Sequence, residues 1–494
     1  MNISLLLKMA ADADPDRIAL TCDGRHWRYG ELWAAATGAA KSIKASGATH
    51  VALLDTGSEA APIALFGAAL AGIPYCPLNY RLPDADLAAL IARIAPAYIV
   101  GEVDRVTQFA SDAGHVLKTR ASFVTAAEQA GEADGDAAES EGIAVQLFTS
   151  GTTAAPKAAI LSHGNLMSYI LGTVEFGSAD PDEAALVSVP PYHIAGIAAL
   201  LSSIYAIRRI VLLPAFDPAA WIELCARERC TNAFVVPTML ARVVEAQSAS
   251  DITHLRSIAY GGGRMPIELI CRALELFPDT GFTNAYGLTE TSSTVALLGP
   301  EEHRAAFASE DAQMRARLGS VGKPLPSIEL EIRDEAGRAL PIGEAGEIYV
   351  RGDQVSGQYR ERSALDADGW FPTRDAGFLD ADGYLFLSGR ADDVIVRGGE
   401  NISPGEIEDV LTAHPAIKDA AAVGVPSLEW GEAIAVAIAT DGDGPTDEEI
   451  RALIRARLRS SRLPEHIARV DALPYNEMGK LLRREIRLIF RSDA

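Results

Sequence analysis

Cysteine is scarce in this chain: five in 494 residues, at positions 22, 76, 225, 230 and 271. The number is odd and no Cys-x-x-Cys pair occurs, which argues against a disulfide framework and against a zinc site and fits a reducing cytosol. Positive charge is also short, with 44 Lys and Arg against 67 Asp and Glu and a net charge of −23. No basic stripe interrupts the excess, so nucleic acid is a poor partner, because its phosphates reward clustered Lys and Arg. Long apolar runs are missing as well. The stretch Met1-Asn-Ile-Ser-Leu-Leu-Leu-Lys-Met is too brief for a signal peptide, and Asp12, Asp14 and Asp16 follow at once. Ile194 to Ile207, the most apolar later stretch, falls short of the roughly 20 residues of a spanning helix and reads as a core helix. The expectation is a soluble, cytoplasmic protein with no transmembrane segment. Peripheral membrane contact through an apolar surface, and a homodimer, both stay open. Repeats are absent, and the one biased tract, acidic and Ala/Gly-rich from Glu128 to Glu141, reads as a solvated loop.

What is present suits a large core and two or more domains, since 48% of the residues are hydrophobic. The first half alternates β-rich runs with Ala-rich helical patterns. His50-Val-Ala-Leu-Leu54 precedes a helix from Glu59 to Ala71, and Tyr75-Cys-Pro-Leu78 follows as a strand. Ile210 to Leu213 and Ala233 to Val236 flank a helix from Pro218 to Glu228. This rhythm predicts βαβ units and parallel sheets. From about Gly319 it changes to short alternating strands with Asp-Gly turns, Ile328 to Ile332, Gly346 to Val350 and Gly383 to Leu387, a small β-barrel subdomain over about 319–389. Beyond Arg390 come helices from Pro404 to Ala413 and Thr446 to Arg459, with a strand from Ala433 to Thr440. The predicted class is therefore α/β, a large N-terminal domain (1–390) of stacked βα sheets followed by a small α+β domain (391–494).

The most telling segment is Leu147-Phe-Thr-Ser-Gly-Thr-Thr-Ala-Ala-Pro-Lys157. An apolar run (Val145, Leu147, Phe148) opens into hydroxyls, a glycine and a lysine. Consecutive hydroxyls and backbone N–H groups around Gly151 make a concave donor surface suited to phosphate oxygens, and Lys157 adds a point charge. The spacing is not that of a P-loop, since no Gly precedes Lys157 directly and no Ser or Thr follows it. Further segments succeed it in order: Pro190-Pro-Tyr-His193, Tyr260-Gly-Gly-Gly263, Asn284-Ala-Tyr-Gly-Leu-Thr-Glu290, Gly319-Ser-Val-Gly-Lys-Pro324, Gly369-Trp-Phe-Pro-Thr-Arg-Asp375, Gly389-Arg-Ala-Asp-Asp393, Gly398-Gly-Glu-Asn401 and Asn476-Glu-Met-Gly-Lys480. Together they resemble the adenylate-forming superfamily of acyl- and aryl-CoA ligases, firefly-type luciferases and peptide-synthetase adenylation domains. The likeness runs from Pro15-Asp16 and Tyr29-Gly-Glu-Leu32 nearly to the C-terminus.

The resemblance implies ATP, Mg²⁺ and CoA as cofactors and co-substrates, a small-molecule carboxylic acid as substrate, and a role for each motif. Thr149, Ser150, Gly151, Thr152, Thr153 and Lys157 would hold the phosphates that leave as pyrophosphate. Glu290 would bind Mg²⁺, which prefers oxygen ligands plus substrate phosphates, and Thr289 would donate to the α-phosphate. Tyr286, within Asn284-Ala285-Tyr286-Gly287, would stack on adenine, with Gly261, Gly262 and Gly263 passing close to the base because no Cβ intrudes. Many relatives carry Ala-Pro where this chain has Gly263-Arg264, a departure that touches the adenine contact. Asp375 would take both ribose hydroxyls with help from Arg390, since a carboxylate accepts two hydrogen bonds at once. Lys480 would bridge the acid carboxylate and the α-phosphate, a compact charge on a flexible stem. His193 would gate the carboxylate pocket, a positional role. For the second half-reaction the small domain would swing about Arg390-Ala391-Asp392. Gly398, Gly399 and Glu400 would then line a pantetheine tunnel, with Trp430 against CoA. Glu465 stands near where some relatives place basic residues against CoA phosphates.

Within the superfamily the sequence discriminates further. The segment at His193 lacks the Asp that pairs with an amino-acid ammonium, acetate-type ligases are much longer, no fatty acyl-AMP-ligase insertion is visible, and nothing argues for oxygen chemistry. The resulting expectation is an acyl-CoA synthetase of fatty-acid or other lipid metabolism. The pocket walls Ile194 to Leu200 and Ser292 to Ala296 are small and apolar, favouring a hydrophobic monocarboxylate, fatty or alicyclic before aromatic. The alternatives are transfer to a carrier protein, or a non-catalytic nucleotide-binding homologue, hinted at only by Ala154 and Ala158 where relatives have Gly.

Overall fold

The computed structural model describes residues 1–109, 114–131, 142–149, 156–246, 252–390, 393–397, 400–427, 429–440, 442, 444–475 and 481–490, with backbone alone at 400 and 401. Most of the acidic tract expected as a surface loop (132–141) lies outside them.

Fully buried apolar strands such as Ala97–Gly101 can sit only in the middle of a sheet covered on both faces. Seven strands run in the order Gln358–Tyr359, Lys157–Ser162, Ile143–Thr149, Tyr75–Pro77, His50–Leu54, Ala97–Gly101 and Val116–Thr119. Pairing is parallel from Ile143–Thr149 to Val116–Thr119 and antiparallel at the other edge. A nine-stranded sheet orders Lys323–Pro324, Ser293–Leu298, Gly281–Leu288, Ser257–Gly261, Asn232–Val235, Ala184–Val187, Arg209–Leu212, Ile18–Cys22 and Arg25–Arg28. The helix Ala60–Ala71 is buried along nearly its whole length. Its small residues let it pack tightly on the helix Tyr29–Ser46, where a Cβ at Gly67 would stand 3.0 Å from that of Ala39. One core cluster joins these helices to residues of both sheets, including Val51, Leu53, Val187 and Ile210.

The small β subdomain is four antiparallel strands, Glu329–Arg333, Gly346–Arg351, Phe371–Leu379 and Leu385–Arg390. Gly383 takes φ +82° in its Asp-Gly turn, a conformation glycine adopts without strain. Two short strands of the same region depart to the larger sheets, Lys323–Pro324 to one and Gln358–Tyr359 to the other. After residue 393 a separate sheet forms from Glu400–Ile402, Ile395–Arg397, Gly431–Thr440 and Ile417–Ser427, with His466–Arg469 parallel to Gly431–Thr440. It has its own core, centred on Ile395, Ile407, Leu411, Ile434, Val436 and Ile454. The helix Asp447–Arg457 begins at a reciprocal cap, with Thr446 and Glu449 satisfying each other's backbone N–H. All five cysteines are free thiols. Among the described residues no helix is long and apolar enough to cross a membrane.

Candidate active site

The phosphate-loop ends are held by a hairpin. Ile143–Thr149 pairs antiparallel with Lys157–Ser162, so Thr149 faces Lys157. Ser150, Gly151, Thr152 and Thr153 lie outside the described residues. The adjoining strand Gln358–Tyr359 pairs with Ala159 and Ile160 and sets the Tyr359 ring 5.7 Å from Lys157 Nζ. The Tyr359 hydroxyl donates to Glu290 Oε1 at 2.6 Å, while backbone N–H groups of Ser356 and Gly357 donate to the Glu290 carbonyl at 2.9 and 3.1 Å. Burial, with Glu290 adding, pushes the Tyr359 hydroxyl well above its ordinary range, so it stays a donor. Tyr359 thus touches both the lysine at the end of the loop and the carboxylate expected to meet a metal. Ala158 is a buried strand residue paired with Phe148, where a methyl group is ordinary.

A second constellation lies across the small sheet. Cross-strand register places Arg390 opposite Asp375, with Arg390 Nη1 3.2 Å from Asp375 Oδ1 and donating to the Thr373 carbonyl at 3.0 Å. Tyr286 reaches over from the nine-stranded sheet and donates its hydroxyl to Asp375 Oδ2 at 2.8 Å. Tyr286 is buried, and that burial, with Asp375 second, holds its hydroxyl far above the usual range. Asp375, Tyr286 and Arg390, expected at one nucleotide from distant motifs, are one bonded group.

The glycines divide by cause. A Cβ at Gly261 would stand 2.3 Å from the Ala285 carbonyl oxygen, and one at Gly287 only 1.8 Å from that of Ser293. Strand packing alone therefore demands both. Gly262 has φ +78°. At Gly263 a Cβ would meet nothing nearer than Pro237 at 3.7 Å, so here the fold leaves glycine optional. Asn284 donates to the Ser320 carbonyl at 3.0 Å, bracing the strand. Thr289 opens a 3₁₀ turn, Thr289–Thr291, followed by two left-handed serines, Ser292 (φ +58°) and Ser293 (φ +114°). This strained turn is clamped by buried Gln354, whose amide donates to the carbonyls of Thr291 and Thr294 at 3.1 and 2.7 Å. Gln354 and Tyr359 are the residues that sequence reasoning missed. Neither belongs to a recognisable spacing, and each acts through a contact distant in sequence.

His193 precedes the helix Ile194–Tyr205 with its ring 4.4 Å from that of Tyr192. Among the described residues its buried Nε2 has no hydrogen-bond partner, and burial, with Arg81 adding, holds its pKa down to about 3, so the ring is neutral. That helix packs on the strand Ser293–Leu298, bringing together the two segments expected to wall the acid pocket. Gly196, Ile197 and Leu200 line a small, largely apolar cavity of about 30 Å³ with Ala61, Leu65 and Tyr75. Trp430 is 41% exposed and carries the Arg397 guanidinium 4.9 Å from its ring centroid. Arg397 also donates to the Ser461 carbonyl at 2.8 Å and pairs with Glu465, whose other oxygen accepts from Ile434 N at 2.8 Å. Glu465 is thus an internal brace. Glu400 lies in the strand Glu400–Ile402; Gly398, Gly399, Asp392 and Lys480 are outside the described residues.

This pairing of sites defines a class, and comparison places the chain in it: the protein belongs to the AMP-binding enzyme family. That family's model matches residues 7–360, and its C-terminal domain model matches residues 406–480. The chain is 31% identical over 492 residues to a feruloyl-CoA synthase of Amycolatopsis sp., covering 97% of each protein. It is 31% identical over 509 residues to a fatty acid–[acyl-carrier-protein] ligase of Streptomyces coeruleorubidus, covering 98% of this chain and 95% of that one. Among solved structures, ATP-bound MatB from Rhodopseudomonas palustris matches all of both chains at 28% identity with a TM-score of 0.87. Its ligand-free form matches, also over all of both chains and at 28% identity, with 0.80.

Proposed function

We propose that this adenylate-forming enzyme is an ATP-dependent acid:CoA ligase. In the first half-reaction a carboxylate oxygen attacks the α-phosphorus of ATP, giving acyl-AMP and pyrophosphate. In the second a CoA thiol attacks the acyl carbonyl and AMP leaves. The observation that carries this reading is the bonded group Tyr286–Asp375–Arg390 beside the group Lys157–Tyr359–Glu290, a diol-and-ring grip next to a phosphate grip. Asp375 would exchange its present partners for ribose hydroxyls, Tyr286 would face adenine, and Thr149 to Thr153 with Lys157 would hold the leaving phosphates. Two anions must meet in the first step, so cations and donors fixed in advance lower the barrier by removing repulsion and aligning attack. Lys480 would arrive on the C-terminal domain, whose boundary we place after Arg390.

Mg²⁺ fits this site. The described residues hold no cluster of three metal-ligating side chains, and Mg²⁺ beside nucleotide phosphates uses only one or two carboxylates. Glu290, oriented by Tyr359 through one oxygen, supplies one. The ion would neutralise phosphate charge.

For the acid, the apolar walls and the neutral His193 favour a hydrophobic monocarboxylate, fatty or alicyclic before aromatic. Lipid metabolism remains the proposed setting. A relative named for feruloyl-CoA and another for fatty acid and a carrier protein mark the neighbouring choices. The test is pyrophosphate release with Mg-ATP and a panel of aliphatic, alicyclic and aromatic acids, with and without CoA. Turnover only with CoA is expected. A stoichiometric burst indifferent to CoA would point to a carrier-protein acceptor, and a best substrate that is aromatic or dicarboxylic would overturn the preference.

A further inference from the structure

One charged residue beside the nucleotide glycines has no part in the roles above. Arg264 follows Gly263 in the loop between the strand Ser257–Gly261 and the helix Ile267–Leu276. Its guanidinium forms an ion pair with Asp409, on the helix Pro404–Thr412 of the C-terminal domain. The same guanidinium lies against the first turn of that helix: a Cβ at Gly405 would stand 1.1 Å from Arg264 Nη1. A larger residue there would have to push the guanidinium off this seat. A second bond crosses nearby, Ser403 Oγ donating to the Ser388 carbonyl at 2.7 Å.

The charges around Asp409 make the arginine consequential. Glu268, on the helix that follows Arg264, and Glu408, already bound to Arg483, face the same carboxylate. Burial pushes the Asp409 carboxyl up to about 6, with Glu268 and Glu408 adding and Arg264 opposing. Without Arg264, docking would bring Asp409 towards Glu268 and lose the one cation that, among the described residues, opposes its shift.

We propose that Arg264 is a positioning residue: seated on Gly405 and paired with Asp409, it holds the C-terminal domain in the orientation of the first half-reaction and lets go for the second. The proposal rests on the ligase reading. That this orientation belongs to the first half-reaction is part of the proposal; over the whole chain the match to the same relative is 0.87 with ATP bound and 0.80 without ligand. Because Arg264 adjoins Gly263, a nucleotide settling on these glycines and the docking of the domain are coupled through one loop.

The test separates the half-reactions. Acid-dependent exchange of pyrophosphate into ATP reads the first, and thioester formation from supplied acyl-adenylate and CoA reads the second. Arg264→Leu is expected to slow exchange about tenfold or more and leave thioester formation unchanged or faster, with Arg264→Lys recovering part of the loss. Gly405→Val should give the same pattern from the other side of the contact. The ratio of Arg264→Leu to wild-type exchange should climb as pH falls, beginning above 6, because without Arg264 the Asp409 carboxyl is raised further and docks as a neutral acid. Equal loss in both half-reactions, or a ratio that ignores pH, would overturn the proposal. If wild type exchanges pyrophosphate with no acid, the ligase reading fails instead. Tryptic cleavage after Arg390 with Mg-ATP present then decides the docking: several-fold faster cleavage in Arg264→Leu supports it, and equal rates refute it.

Discussion

Tyr359 gives the sharpest prediction at the scale of single residues. Its hydroxyl orients Glu290 and its ring meets Lys157, yet it stands some two hundred positions beyond the loop it serves. Tyr359→Phe keeps the ring and removes one hydrogen bond to a charged group, worth about 1.5–3 kcal/mol. A fall of roughly ten- to a hundredfold in kcat/KM for Mg-ATP, with KM for the acid little changed, is expected from steady-state pyrophosphate release. An unchanged kcat/KM would mean that Glu290 needs no such orientation. Tyr286, Asp375 and Arg390 were legible in the sequence because each sits inside a distinctive motif. The contacts of Tyr359, Gln354 and Arg264 were not, since their partners, Glu290, the Thr291 and Thr294 carbonyls, and Asp409, are chosen by strand pairing and domain docking that no local pattern encodes.

Elements were more readable than contacts. The strand His50–Leu54 matches its apolar run, and the helix Pro218–Arg227 starts where Asp217 caps it, its carboxylate accepting from Ala220 N at 2.9 Å. The strand near Gly383 proved later, at Leu385–Arg390, because the Asp-Gly turn occupies its expected start. The glycines of the nucleotide motifs were expected to serve the base, whereas Gly261 and Gly287 answer first to their neighbouring strands. Two alanine substitutions separate these causes. Gly287→Ala drives a Cβ into the Ser293 carbonyl and should lower the melting temperature, by about 1–3 kcal/mol in stability. Gly263→Ala should leave melting unchanged but raise KM for ATP several-fold if that backbone lies against adenine. A thermal melt paired with ATP titration checks both, and a stable Gly287→Ala would refute the packing argument.

At the scale of the whole molecule, the proposed two half-reactions in two orientations predict selective lesions. Lys480→Ala should abolish pyrophosphate exchange and spare thioester formation from supplied acyl-adenylate, whereas Asp392→Pro should stiffen the hinge and impair one half-reaction far more than the other. Parallel losses in rapid-quench assays would refute a swinging domain. Buried histidines make the fold acid-sensitive. His163, whose Nδ1 accepts from Ile3 N at 3.3 Å, is held down to about 4 by burial. His303, between the Tyr260 hydroxyl and the Gly299 carbonyl at 2.8 Å each, is also lowered by burial. Both are neutral when folded, so the unfolded chain binds protons first as pH falls below 6.5. The stability they permit is complete above that value and declines as pH falls, for His163 until about 4 at up to about 1.4 kcal/mol per pH unit. Asp409, raised in the native state, opposes this below about 6. Urea midpoints at pH 7 and 5 should fall accordingly, and His163→Gln should flatten the slope.

The short strand Gln358–Tyr359 has one more consequence. It is contributed by the late β-rich region but completes the sheet that carries the phosphate hairpin. A fragment ending near residue 319, an attractive cut between the βα layers and the small β subdomain, would strip that cover. Lys157–Ser162, an apolar strand of sequence Lys-Ala-Ala-Ile-Leu-Ser, would become an open sheet edge, a template for pairing between chains. Such a fragment would aggregate on expression, so the smallest soluble piece of the large domain extends past residue 360.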